Sequence, residues 1–113
     1  VDTAIKAAVP LFIDPATHAY YAGLCQYVHA KSAGALTVVA NPGAAAATPW
    51  QLDGGTADIV NVFEGTPSGF SSWSPPAWLA TRSAASLAAI VYAAGSVTTM
   101  QAACARAKSL HIG

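Results

Sequence analysis

The chain has 113 residues, 54% of them hydrophobic and only 9% charged, with five basic and five acidic side chains and a formal net charge of zero. With no basic excess there is no electrostatic footprint for nucleic acid, and with so much Ala, Val, Leu and Ile the composition is not that of a disordered segment. No apolar run approaches the roughly 18 uninterrupted residues of a membrane-spanning helix.

The first predicted element is the short apolar run Val9-Pro10-Leu11-Phe12-Ile13, with Pro10 early enough for its missing N–H to be tolerated in a strand. A helix follows, from about Ala16 to Lys31. Thr17 is placed to cap it, Lys31 suits its last turn and Gly34 can end it. Tyr20, Leu24, Tyr27 and Val28 fall on one stripe at helical spacing and are expected to face the core. The second run is Leu36-Thr37-Val38-Val39-Ala40. Asn41-Pro42-Gly43 then signals a turn, and the Ala44–Ala47 run suggests a short helix.

Ile59-Val60-Asn61-Val62-Phe63 is the third run, followed by a turn signal at Thr66-Pro67-Ser68-Gly69. Ser74-Pro75-Pro76 breaks any helix begun over Phe70 to Trp73. The fourth run is Leu87 to Tyr92. Ser96 caps a last helix reaching about Leu110, with Val97, Met100, Cys104 and Ala107 on its inner face, and Gly113 lies just beyond.

Continuous rather than alternating apolar runs suit strands of a parallel sheet covered on both faces. Strand and helix alternating at about 25-residue spacing predict parallel βα units. The expected fold class is therefore α/β: residues 1–113 as one domain, a partial (β/α)8 barrel of four units. A complete barrel needs about 200–250 residues. The alternative architecture is a small doubly wound sheet.

Sites in such folds lie at the carboxyl ends of the strands. The residues just past the runs are Asp14, Asn41, Glu64 and the stretch from Tyr92 to Gly95, so two of the five carboxylates stand at strand ends. Paired rim carboxylates are the equipment of glycoside hydrolysis, one as general acid, the other as nucleophile or as base for water. Asp14 precedes Pro15 and equally fits a turn, whereas Phe63-Glu64-Gly65 offers no capping geometry that would explain its carboxylate structurally.

The segment Asp58-Ile59-Val60-Asn61-Val62-Phe63-Glu64-Gly65 resembles a strand of the spherulin 4-like (spherulation-specific family 4) glycoside hydrolases. Ser72-Trp73 and Pro75-Pro76-Ala77-Trp78 resemble that family's tryptophan- and proline-rich loop, Ile90-Val91-Tyr92 its next strand, and Val38-Val39-Ala40-Asn41-Pro42-Gly43 an earlier strand end. Phe12-Ile13-Asp14, Tyr20-Tyr21 and Tyr27-Val28-His29-Ala30-Lys31 are similar to the segments before it. The resemblance implies a barrel that cleaves internal α-1,4 links of N-acetylgalactosamine or galactosamine polymers, is secreted or displayed at the cell surface, and uses carboxylates at Asp14 and Glu64. The matched region corresponds to the fourth through seventh strands of such a barrel. The family's Asp-Glu pair reads Asp14-Pro15 here, so one expected carboxylate is replaced by a residue that carries no proton.

Flat aromatic faces suit sugar rings, so Trp73 and Trp78, and less so Trp50, are candidate stacking platforms, and core packing is the other role they fit. Asn41 and Tyr92 are further candidates to contact substrate. His18, His29 and His111 are scattered, no His-x-His or His–Cys spacing is evident, and no metal site is expected. Cys25 and Cys104 fall on the first and last helices and are expected to be buried free thiols. No phosphate-binding glycine loop or Gly-x-Ser-x-Gly element is present, and no cofactor is expected.

Two functions are thus expected from the sequence: a glycosidase acting on a polysaccharide, or a non-catalytic surface or assembly protein on the same scaffold. Pro15, the low charge and the unmatched strands favour the second. Val1 is not Met, so the N-terminus is either processed or not the true beginning. So few charges suggest that part of the surface is covered by further chain, a partner subunit or an assembly.

Overall fold

The computed structural model describes residues 17–42 and 47–113. The run at Val9–Ile13, the carboxylate Asp14 with Pro15, and most of the alanine run lie outside the described residues. Helix α1 spans His18–Ser32. Strand β1 is Val39–Ala40, helix α2 is Trp50–Asp53, strand β2 is Ile59–Gly65, and helix α3 is Pro67–Ser72. Two 3-10 turns, Ala77–Thr81 and Ala84–Ser86, lead into strand β3, Leu87–Val91, and helix α4 is Val97–Ser109.

The strands form one parallel sheet in the sequential order β1-β2-β3. This is an α/β fold with a small open sheet, in which, among the described residues, β2 lies between β1 and β3. Among the described residues, no helix is long and apolar enough to cross a membrane.

Local chemistry accounts for the helix ends. Ser96 is extended and its Oγ accepts the Thr99 N–H at 3.1 Å, so the last helix starts where its cap predicts. Thr66 does the same for α3, accepting the Gly69 N–H at 3.2 Å, with Pro67 at the first helical position. The expected turn at Thr66–Gly69 is therefore the first turn of a helix, because a Thr-Pro pair supplies an N-cap and an N1 residue together. Trp73, before Ser74-Pro75-Pro76, is already extended, and α3 ends there.

Helix α1 ends in two successive left-handed residues, Ala33 at φ 50° and Gly34 at φ 79°. The Gly34 N–H reaches back to the His29 carbonyl at 2.8 Å. Thr17 stands at the N-cap of α1, but with helical backbone angles and no side-chain cap bond.

One face of the sheet is covered by the connecting helices. Val60 and Leu87 are fully buried on it, with Ala40, Ala57, Leu79 and Ile112 in the same layer. Val62 and Leu52 are shared between the two halves of this core. Phe70 of α3 is buried under Phe63 and Trp73, at ring-centroid distances of 4.8 and 6.0 Å. Arg106 of α4 locks that corner, its Nε donating to the Phe70 carbonyl and an Nη to the Trp73 carbonyl, each at 2.7 Å. These are charge-assisted bonds to the orphan carbonyls at the end of α3.

Two expected faces turn out differently. Continuous apolar strands predict cover on both faces, but Val39, Ile90 and Tyr92 are exposed on or beside the second face. The stripe Tyr20, Leu24 and Tyr27 of α1 is also exposed, and Cys25 is the buried residue of that helix. Adjacent helical positions lie about 100° apart, so packing through Cys25 turns Leu24 and its neighbours outward. On α4, Val97 is exposed, and Met100, Cys104 and Ala107 line a shallow apolar groove of about 200 Å³ with Phe70, Ala89 and Val91. Cys104 is consequently an exposed thiol, not a buried one, because its side of α4 faces the rim of this groove; Cys25 and Cys104 are both unbridged.

Candidate functional site

Parallel strands end together, so residues just past β1 and inside the end of β2 come to one rim. Asn41 follows β1 directly, and its Nδ2 donates to Glu64 Oε2 at 2.9 Å. Asn61 Nδ2 in turn donates to Asn41 Oδ1 at 3.1 Å. Asn61 is only 4% exposed, while Asn41 and Glu64 are exposed. Among the described residues Glu64 Oε1 accepts no hydrogen bond, and the side chain is exposed.

A regular strand would not build this network. Residues three apart on a strand project to opposite faces, which would send Asn61 and Glu64 to different sides of the sheet. The pairing of β2 with β3 runs Asn61 with Ala88, then Phe63 with Ala89, leaving Val62 as an inserted residue. This bulge resets the alternation. Val62 and Phe63 both turn to the helix-covered side, toward the core and Phe70 respectively. Asn61 and Glu64 are thereby placed together on the second face of the sheet, where both reach Asn41.

Of the other sequence candidates, Tyr92 is half exposed just past β3, and its N–H bonds the Gly65 carbonyl at 3.0 Å. That bond ties the end of β3 beside Glu64. Trp73 packs against Phe63 at 5.2 Å and joins the covered core, as does Trp78. Both tryptophans are partly buried on the helix side of the sheet, away from the face that carries Glu64. Trp50 meets the His18 ring edge-on at 5.6 Å. Asp14 lies outside the described residues, so the structure states no separation between it and Glu64.

A second cluster, not expected from the sequence, lies at the other end of β2. His29 Nε2 meets Asp58 Oδ2 at 2.8 Å, and Cys25 Sγ lies 4.0 Å from the same nitrogen. The three ligand atoms are within 4.8 Å of one another. The signal was present as Cys25-x-x-x-His29, an i, i+4 pair that shares one helix face. Asp58 Oδ2 also accepts the Val38 N–H at 2.7 Å. Cys25 and Asp58 both face one ring nitrogen, so this is not a nucleophile–base–orienter relay, which needs the two ring nitrogens on different partners. Burial, and then the charge of Asp58, push the Cys25 thiol upward from its ordinary value.

The Val38 N–H first, and the His29 side chain after it, hold the Asp58 carboxyl below the usual carboxylate range against the opposing effect of desolvation. A carboxyl depressed in the folded state stabilises the fold at pH above its unfolded value and loses that contribution as pH falls through the folded value. Stability is therefore expected to decline as pH drops below about 4. Asp58→Asn should flatten that decline in urea titrations run at pH 6 and pH 3. An unchanged acid limb in the variant would remove Asp58 as its source.

Comparison of the chain with protein-family models, with curated proteins and with solved structures finds no match.

Proposed function

We propose that this chain carries the strand-end site of a glycoside hydrolase acting on N-acetylgalactosamine- or galactosamine-containing polysaccharide, on part of a spherulin 4-like barrel. The observation that carries the reading is Glu64 at the carboxyl end of the central parallel strand, exposed, with one oxygen fixed by Asn41 at 2.9 Å. That is the position at which α/β folds hold reacting groups. The sequential parallel order β1-β2-β3 fits a barrel segment and fits one half of a doubly wound sheet equally well, since the latter reverses only at its switch point. In this reading Glu64 is one of the two carboxylates, Asp14 is the other, and Asn41 orients Glu64. Asn61 braces Asn41 from beneath, and Tyr92 lines the same rim. Two carboxylates suffice for glycoside hydrolysis, so no cofactor is called for. The substrate and the family likeness point to a secreted or cell-surface location.

The test is release of new reducing ends from an α-1,4-galactosamine polymer by the native full-length protein. Cleavage within the chain is the expected result. Absence of any turnover across galactosamine and N-acetylgalactosamine polymers ends the hydrolase reading.

One observation favours a second reading, a non-catalytic assembly protein. The second sheet face exposes Val39, Ile90 and Tyr92, and α1 exposes Tyr20, Leu24 and Tyr27. Exposed apolar surface of that kind suits further chain or further copies. Light scattering on the purified protein separates the two: large regular oligomers without hydrolysis support assembly, and a monomer that cleaves polymer removes it.

A further inference from the structure

Cys25, His29 and Asp58 present a thiol, an imidazole and a carboxylate at one point, about six residues of β2 and so roughly 20 Å from Glu64. Two of the three come from one helix. Cys25 and His29 are one turn apart on α1, whose regular geometry fixes their side chains over the same spot. Asp58 is delivered from the residue before β2, and the Val38 N–H holds its carboxylate in place. His29 and Asp58 border an open cleft of about 420 Å³ lined also by Gly34, Leu36 and Thr37, and Cys25 is buried beside them.

We infer that Cys25, His29 and Asp58 form a binding site for a single divalent zinc ion, which pins helix α1 to the start of the sheet. The donor set decides the metal class. One thiolate, one imidazole and one carboxylate suit a borderline-soft ion, and not magnesium or calcium, which take oxygen shells. Distances of about 2.0–2.3 Å from zinc to each ligand put tetrahedral ligands about 3.3–3.6 Å apart. The His29–Asp58 separation of 2.8 Å then has to open by about half an ångström, and the Cys25–His29 separation of 4.0 Å to close by a similar amount. Side-chain rotation of Cys25 and His29 would supply both and would also draw the Cys25 sulfur, within 4.8 Å of the Asp58 ligand oxygen, to zinc-ligand spacing from it. The cleft leaves the fourth position to water.

Binding replaces one set of bonds by another. The Cys25 thiol gives its proton to solvent and its sulfur lone pair to the metal, and His29 takes the tautomer with its proton on Nδ1, which leaves Nε2 to ligate. The site would act on structure. At its first residue α1 is anchored by His18, which lies against Trp50 and whose ring a Cβ on Gly54 would overlap, and further along by the His29–Asp58 bond. A metal at Cys25 and His29 secures its other half. The inference does not rest on the hydrolase reading, since the two sites share no residue and activity is not its readout.

The experiment uses the reduced native protein, titrated with Zn²⁺ against a chromophoric chelator and, separately, with Co²⁺ as a spectroscopic probe. The expected result is one equivalent bound, with a thiolate-to-cobalt charge-transfer band. Changes one shell out from a metal already weaken binding by about 10–100-fold, so Cys25→Ser should lower zinc affinity by at least about 100-fold and abolish the band. Cys104→Ser should leave both unchanged. Asp58→Asn keeps an acceptor for the Val38 N–H and should also weaken zinc without unfolding the chain. Failure of the native protein to bind one equivalent overturns the site. So does a charge-transfer band that survives Cys25→Ser or vanishes in Cys104→Ser.

Discussion

Glu64→Gln is expected to reduce cleavage of a galactosamine polymer by about 10²–10⁴-fold, the usual contribution of a positioned proton-transfer group. The substitution keeps side-chain shape. Gln retains a carbonyl oxygen that accepts the Asn41 amide at the position of Oε2. It loses the charge and the ability to take or give a proton, which is what the proposed chemistry needs. Because Glu64 is exposed and belongs to no core layer, the stability of the variant should lie within about 0.5 kcal/mol of the parent. Loss of activity with intact stability is therefore the signature. A Gln variant that cleaves polymer at the parent rate would show that the carboxylate takes no part.

Phe70→Ala is expected to destabilise the fold by about 3–5 kcal/mol. Phe70 is 1% exposed, sits under Phe63 and Trp73, and has the Arg106 guanidinium 5.9 Å from its ring centre. Truncation leaves a cavity where α3 meets β2 and α4, and the backbone bonds from Arg106 keep that corner from collapsing to fill it. The shift is large against a total stability of about 5–15 kcal/mol. Urea unfolding should show a lower midpoint with an unchanged slope. Phe70→Leu, which keeps most of the volume, should lose clearly less. Equal losses for Ala and Leu would mean that the ring contacts and not the cavity set the effect.

The elements that the sequence reveals best are those whose signals are local. Ile59–Gly65 and Leu87–Val91 lie on largely apolar runs, the first broken only by Asn61 and ended by Glu64, and form the two long strands. Ser96 and Gly34 mark helix ends through a hydroxyl cap and a left-handed angle, both of which act within a few residues. The expected strand at Leu36–Ala40 shrinks to Val39–Ala40, because Asp58 claims the Val38 N–H and diverts it from the ladder. The short α2 and the two 3-10 turns carry no periodicity long enough to read.

Faces were harder than elements. A stripe such as Tyr20-Leu24-Tyr27 says that one side of a helix is apolar, but the side that packs is set by the tertiary partner, here the one that meets Cys25 and His29. The rim candidates were partly legible. Glu64 and Asn41 follow from the rule that parallel strands deliver their ends together. Asn61 was missed, because strand alternation sends it away from Glu64 and only the bulge at Val62 brings it back. Trp73 and Trp78 are placed by the proline-rich break after α3, which folds them toward the helix layer.

In the proposed function Asn41 and Glu64 together form a sugar-contacting rim. Titrating the isotopically labelled native protein with a galactosamine oligomer, while following the Asn41 side-chain amide and the Glu64 carboxyl carbon by NMR, tests it most directly. These two resonances are expected to shift together and saturate with a single dissociation constant, while Cys25 and Cys104 stay still. Saturable shifts elsewhere on the molecule, with Asn41 and Glu64 unmoved, would contradict it.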